Sequence, residues 1–343
     1  MSATLVAAGV LLTLTLSGVA AADVAPTQES DQRALDLLVA ASEAARSTDF
    51  QGTQIVMLWM GDRQLSASVQ VAHRAGVGSM INVERTANAP GRTVFEPDDA
   101  TSVSGMSAQT LALVRRNYVV RLEGAQDVMG RRLDVVLIRT RSGNAVQRLW
   151  IDRKSGLAVR RAFYDDAGTL TRQTAYVTLT DTTPDFIAPT QVASIPVSGR
   201  FSVADASGLR GAGWHAPNVV PDGMVAFDSS VTGGGTDAVL RVSYTDGIAT
   251  LSLFEQRGRL DTGGLKGWRR SEIAGVTVWT SSGYPRRVVW SGGDRVYTVV
   301  TECEPRSVEQ MVRSLPRGDS SPGFVRRVVR GAHRVGSWVN PSR

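Results

Sequence analysis

The chain has 343 residues, of which 42% are hydrophobic and 20% charged, and its formal net charge is +6. This composition is ordinary for a soluble globular protein, and the length favours two domains. Most of the net charge lies in residues 317–343, which hold six arginines and one aspartate, so the rest of the chain is nearly neutral. A nucleic-acid-binding domain needs a basic face. We therefore expect no nucleic-acid partner.

The first residues predict export. Residues 3–22 form an uncharged, largely apolar run that closes with Val19-Ala20-Ala21-Ala22 before Asp23. This pattern is typical of a signal peptide, which we place at residues 1–22. The alternative is an uncleaved membrane anchor, because about 20 apolar residues can just span a bilayer. Both interpretations place the body of the chain outside the cytoplasm.

The following segment reads as one helix and a series of strands. Helical spacing of apolar residues predicts a helix over 31–46. Alternating segments then predict strands over 53–60, 67–73, 78–83 and 118–123, followed by a four-stranded antiparallel meander over 133–179 whose short turns permit only hairpin connections. We expect an N-terminal domain over 23–180, with a large curved sheet over one helix.

A second β-rich block follows a stretch rich in Thr, Ser, Pro and Ala. We interpret residues 181–207 as a linker. Strands are predicted over 238–245, 248–255, 276–280, 286–290 and 296–301, with Asp246-Gly247 as a tight turn. Pro305 then opens a helix. We place a small C-terminal β domain at 208–316.

Residues for catalysis are scarce. No pair of the three histidines has metal-ligand spacing, and no phosphate-binding, dinucleotide-binding or serine-nucleophile motif occurs. Asp165 and Asp166 fall in a hairpin turn, where aspartate is favoured for its bonds to the backbone. The single Cys303 fits a buried structural thiol. We therefore predict no enzyme activity, no cofactor and no metal site.

Two surfaces are candidates for binding. Residues 55–60 are apolar on both strand faces, so Ile55, Met57 and Trp59 either complete the core or form a ligand groove. In the tail at 317–343, apolar residues alternate with arginines. That tail is either disordered or a basic amphipathic helix at an anionic membrane surface, carried by Phe324, Arg326, Arg327, Arg330 and Arg334.

Several short motifs resemble one known family, the RseB/MucB-type sigma-factor regulators. They are Asn117-Tyr118, Val128-Met129-Gly130-Arg131, Arg148-Leu149-Trp150-Ile151-Asp152, Ser155-Gly156-Leu157, the run from Tyr244 to Glu255, and Arg295-Val296-Tyr297-Thr298-Val299-Val300. The resemblance implies an α+β, mostly β fold. Its first domain is an unclosed antiparallel β-barrel over helices, like that of lipoprotein carriers, and its second is a smaller β-rich domain with a terminal helix.

The resemblance also implies a function without catalysis. A family member binds the exported part of a membrane anti-sigma factor, protects it from proteolysis and so keeps an envelope-stress sigma factor inactive. The expected location is the periplasm or the outer face of the cytoplasmic membrane. The alternative prediction is a carrier or sensor of lipids or lipoproteins that uses an apolar groove in the first domain.

Overall fold

The computed structural model describes residues 28–60, 63–84, 91–97, 107–186, 200–201, 206–215, 217, 223–281, 285–303 and 305–316. The predicted export segment at 1–22 and the predicted tail at 317–343 lie outside the described residues, as does most of the predicted linker.

The first half of the chain forms one nine-stranded sheet with two helices. The helices are α1 (Gln28–Ser47) and α2 (Ala108–Asn117). The strands are β1 (Phe50–Met60), β2 (Arg63–Arg74), β3 (Gly78–Val83), β4 (Arg92–Pro97), β5 (Tyr118–Val128), β6 (Arg131–Thr140), β7 (Ala145–Asp152), β8 (Ala158–Tyr164) and β9 (Leu170–Thr180). Their order is β4-β3-β2-β1-β9-β8-β7-β6-β5, and neighbouring strands are antiparallel throughout. The edges β4 and β5 do not pair with each other, so this sheet is open.

Helix α1 packs on one face of this sheet. Ala34, Leu38 and Ala41 recur at helical spacing, so they share one face of the helix. They are buried against a cluster that includes Val136 and Ile138 of β6. The shorter α2 begins at Ser107, whose hydroxyl accepts a hydrogen bond from the Thr110 backbone nitrogen as an N-cap.

The second half forms an eight-stranded sheet, again antiparallel and open. Its strands are β10 (Arg200–Phe201), β11 (Val225–Thr232), β12 (Val239–Thr245), β13 (Thr250–Arg257), β14 (Arg269–Ile273), β15 (Val276–Thr280), β16 (Arg286–Gly292) and β17 (Arg295–Thr301), in the order β10-β11-β12-β13-β17-β16-β15-β14. The helices are α3 (Ala206–Gly211) and α4 (Pro305–Ser314). Val308, Met311 and Val312 of α4 are buried in the core on one face of the sheet.

A buried carboxylate lies in the core of the second sheet. The Glu255 side chain is 0% exposed, and its Oε1 lies 3.1 Å from Nη1 of Arg295 and 2.9 Å from Nδ1 of His215. Its Oε2 accepts a hydrogen bond from the backbone nitrogen of His215 at 2.8 Å. Since a buried charge is tolerated only when it is paired, Glu255 ties the segment after α3 to the sheet.

The mostly β fold of two open antiparallel sheets with few helices is confirmed, and so is the meander from β6 to β9. Six elements were missed by the sequence analysis, namely β4, α2, β10, α3, β11 and β14. The dipeptide Arg200-Phe201, within the predicted linker, pairs with Ser230 and Ser229 of β11. Cys303 is buried, as expected.

Candidate functional site

A cleft of about 1020 Å³ separates the two sheets. On the side of the first sheet, its wall consists of the end of β1 and the hairpin that joins β8 to β9. On the side of the second sheet, the wall consists of β14, one face of β16, and the start of α4. Because both halves of the chain contribute walls, the cleft depends on how the two sheets are held together.

One end of the cleft is closed by a joint between the two halves. The Asn117 side-chain amide donates to the backbone oxygen of Asp246 at 2.9 Å, and the Tyr118 hydroxyl donates to Oδ2 of Asp246 at 2.7 Å. Arg116 donates to the backbone oxygen of Gly223 at 2.6 Å. The motif Asn117-Tyr118 and the run from Tyr244 to Glu255, which both carried the family resemblance, therefore meet at this joint.

Gly247 allows the close approach at the joint. This residue has φ +103°, and a Cβ atom built on it would lie 2.9 Å from the Thr110 backbone oxygen and 2.9 Å from the Val114 backbone nitrogen. A positive φ and the absence of a side chain are both properties of glycine. The β12–β13 turn thus rests directly on α2, and the adjacent Ile248 packs against the core of the first domain.

An ion pair crosses the cleft away from the joint. Nη1 of Arg172, on β9, lies 2.9 Å from Oε1 of Glu302, just after β17. The Arg172 guanidinium also stacks on the ring of Phe163, with its Cζ 3.9 Å from the centroid. Both side chains are only partly exposed. This ion pair connects the two walls of the cleft.

The charges that line the cleft differ in how they are used. Oδ1 of Asp165 accepts two backbone hydrogen bonds of its own turn, from Ala167 and Thr169. The carboxylate of Asp246 likewise accepts from the backbone of its turn and from Tyr118. By contrast, Arg269 and Arg286 line the cleft and form no ion pair with any described residue.

Only one of the three predicted groove residues lines the cleft. Trp59 lines the cleft, whereas Ile55 and Met57 are not part of its lining. All three lie on β1, which runs between β2 and β9 in the middle of the sheet, and all are half-buried. The groove therefore stays a prediction, and Arg172, Arg286 and Glu302 were not predicted. No signal in the sequence marks these three residues, because each is an ordinary charged residue at or beside a strand end.

The described residues show no constellation for catalysis. Asp165 and Asp166 lie in the β8–β9 turn as predicted, and His73 is buried beside Ser79. No group of three or more metal-ligating side chains occurs among the residues that the structure describes. Within those same parts of the chain, none of the helices combines the length and apolar character needed to cross a bilayer.

Comparison with known proteins gives one family-model match and several solved structures of similar fold. A family model described as the MucB/RseB N-terminal domain matches residues 33–195. The crystal structure of MucB in complex with MucA(peri) has 20% sequence identity and a TM-score of 0.55, and the match covers 84% of this chain and 100% of that one. The MucA/MucB complex of Pseudomonas aeruginosa has 19% identity and a TM-score of 0.53, with the same coverage. A crystal structure of MucB alone has 20% identity and a TM-score of 0.55, covering 84% of this chain and 98% of that one.

At such low identity these structures show a shared fold. No curated protein sequence matches the chain. The family model covers the first sheet and its helices, so residues 33–195 are similar to the MucB/RseB N-terminal domain. The MucB structures extend the shared fold over the second sheet.

Proposed function

We propose that this chain is a regulator of the cell envelope that binds the exported part of a membrane anti-sigma factor and has no enzyme activity. Bound in this way, it protects the anti-sigma factor from proteolysis and so negatively regulates an envelope-stress sigma factor. The proposed location is the periplasm or the outer face of the cytoplasmic membrane, since the partner segment is exported.

The observation that carries this proposal is the cleft between the two sheets. Two solved structures of the same fold are complexes of MucB with MucA, so a protein of this architecture can bind another protein. The cleft volume of about 1020 Å³ is at the upper end for a small-molecule pocket. Its lining includes hydroxyl groups such as those of Thr171, Ser271 and Thr280. Hydroxyls can bond the backbone and polar side chains of an extended peptide, so we place the partner segment here.

The first sheet also supports a proposal about its fold type. We propose that the nine-stranded sheet with α1 on one face is an unclosed barrel of the lipoprotein-carrier type. The support is its open edges β4 and β5, together with the apolar cluster between α1 and β6.

A pull-down from membranes tests the regulatory proposal. Residues 23–343 serve as bait, and both captured proteins and lipids are identified by mass spectrometry. We expect a single-pass anti-sigma factor, captured less by Gly247→Ala, which disturbs the joint, than by the wild type. Addition of the bait should then slow cleavage of the captured protein's exported segment by a protease. Recovery of lipids without any anti-sigma factor would refute the proposal and favour a lipid carrier instead.

A further inference from the structure

The charged groups of the cleft point to the chemistry of its occupant. We propose that Arg172, Arg286 and Arg269 form a binding site for carboxylates of an extended acidic peptide, and that this peptide displaces Glu302 from Arg172. This inference rests on the proposed function, because the peptide would be part of the bound anti-sigma segment.

The first argument is the imbalance between free and used charges. Four acidic residues line the cleft: Asp165 and Asp246 hold their own turns, and Glu302 pairs with Arg172. Among the described residues this leaves the exposed Asp166 as the one lining carboxylate without such a bond. Arg269 and Arg286 have no ion-pair partner among the described residues, although Arg286 is half-buried. A half-buried cation without a counter-ion favours binding of an anion, because screening by water is reduced there.

The second argument is the state of Arg172. Stacking on Phe163, with Cζ 3.9 Å from the ring centroid, holds the guanidinium in place. A guanidinium held in this way can receive a carboxylate through two parallel hydrogen bonds. Glu302 contacts it through one hydrogen bond of 2.9 Å, which Nη1 donates to Oε1. A better-placed carboxylate can therefore replace Glu302.

The third argument is the register of the second sheet. Arg286 lies opposite Thr301 in the β16–β17 pair, and the next residue in the chain is Glu302. Arg269 lies opposite Thr280 in the β14–β15 pair, and Thr280 in turn lies opposite Val288 of β16. Arg269 and Arg286 thus line one wall of the cleft, with Arg172 on the facing wall. Two cations on one wall and one on the facing wall suit an extended chain with several carboxylates.

Peptide-binding measurements test this site. The probes are two fluorescein-labelled peptides of about 12 residues, one with alternating Glu and Thr and one with alternating Gln and Thr, and binding to residues 23–343 is followed by fluorescence anisotropy. We expect the acidic peptide to bind about tenfold more tightly, since a hydrogen bond to a charged group contributes about that factor. Arg172→Gln and Arg286→Gln should each reduce this preference severalfold.

Two further variants separate recognition from misfolding. Arg270→Gln is the matched control, because Arg270 neighbours Arg269 on β14, is exposed and lies outside the cleft lining; it should keep the full preference. Glu302→Gln removes the competing carboxylate and should strengthen binding of the acidic peptide by up to about fivefold. A misfolded variant would not produce such a gain.

The result that overturns the inference is equal binding of the two peptides, or a preference that survives in Arg286→Gln. Binding of phosphatidylglycerol vesicles that depends on Arg286, without preference for the acidic peptide, would also overturn it and assign the cations to lipid phosphates. The two proposals can fail separately. Equal capture of an anti-sigma factor by wild type and Arg286→Gln would refute the carboxylate site alone, whereas a preference for the acidic peptide without any captured anti-sigma factor would refute the regulatory function alone.

Discussion

Replacement of Gly247 by alanine tests whether the joint holds the two halves together. The new Cβ would lie 2.9 Å from both the Thr110 backbone oxygen and the Val114 backbone nitrogen, at a φ of +103°. The backbone conformation alone costs about 1–3 kcal/mol for a residue other than glycine. Forced displacement of α2 adds about 1–3 kcal/mol, the usual cost of overpacking. We therefore expect the free energy of unfolding to fall by about 2–6 kcal/mol.

Gly143→Ala provides the matched control. Gly143 has nearly the same φ, +102°, but a Cβ atom there would meet no atom within 4 Å. Its replacement therefore carries only the backbone cost. Urea unfolding of both variants, followed by circular dichroism and tryptophan fluorescence, gives the difference, which we expect to be about 1–3 kcal/mol. If Gly247→Ala costs no more than Gly143→Ala, the β12–β13 turn does not press on α2, and the account of the joint is wrong.

Three further predictions concern stability. Glu255→Gln should lower the free energy of unfolding in urea by about 3–5 kcal/mol, because it removes the buried partner of Arg295, which is itself 5% exposed. The remaining ion-pair partner, Asp294 at 3.6 Å, is 80% exposed and compensates the charge only weakly. A loss below about 1 kcal/mol would contradict the pairing. Burial raises the pKa of Tyr176 to about 12, whereas an unfolded tyrosine has a pKa of about 10. The contribution of Tyr176 to the free energy of unfolding should therefore be complete below pH 10 and decline between about pH 10 and 12, because the unfolded state loses its proton first. Unfolded in urea at about pH 9 and 11, Tyr176→Phe should show a smaller decline than the wild type. An equal decline would refute this cause. Met129 is 78% exposed at φ 51° and precedes Gly130, so Met129→Asn creates the favoured Asn-Gly turn and should raise the free energy of unfolding by about 0.5–1 kcal/mol; an unchanged or lower thermal midpoint would contradict this.

The elements that the sequence predicted well are those with a strong local pattern. The strands from β6 to β9 alternate clearly and are joined by short turns, and α1 has a regular apolar face. The same holds for α4, where Val308, Met311 and Val312 recur at helical spacing. These patterns arise because each residue of such an element faces either a core or the solvent. Apolar and polar residues therefore recur in the sequence with the period of the helix or strand.

The missed elements lack such a pattern. β14 reads Arg-Arg-Ser-Glu-Ile and is an edge strand of five residues, so it buries few side chains. α2 has ten residues, of which only Leu111 and Val114 are buried. β14 pairs with β15, the next strand in the chain, whereas α2 depends on the distant β12–β13 turn. Local propensity is too weak to predict such elements.

The sequence by itself determined that the chain folds into two antiparallel β halves, that Asp246-Gly247 is a turn, and that Asp165 and Asp166 serve a turn. Each of these follows from interactions between residues close in the chain. Only the tertiary structure decided that the turn at Gly247 presses on α2, that Arg172 meets Glu302, and which charges of the cleft are already used. Arg172 and Glu302 are 130 positions apart. Their contact depends on the packing of two sheets, and packing between distant segments leaves no periodic trace in either segment.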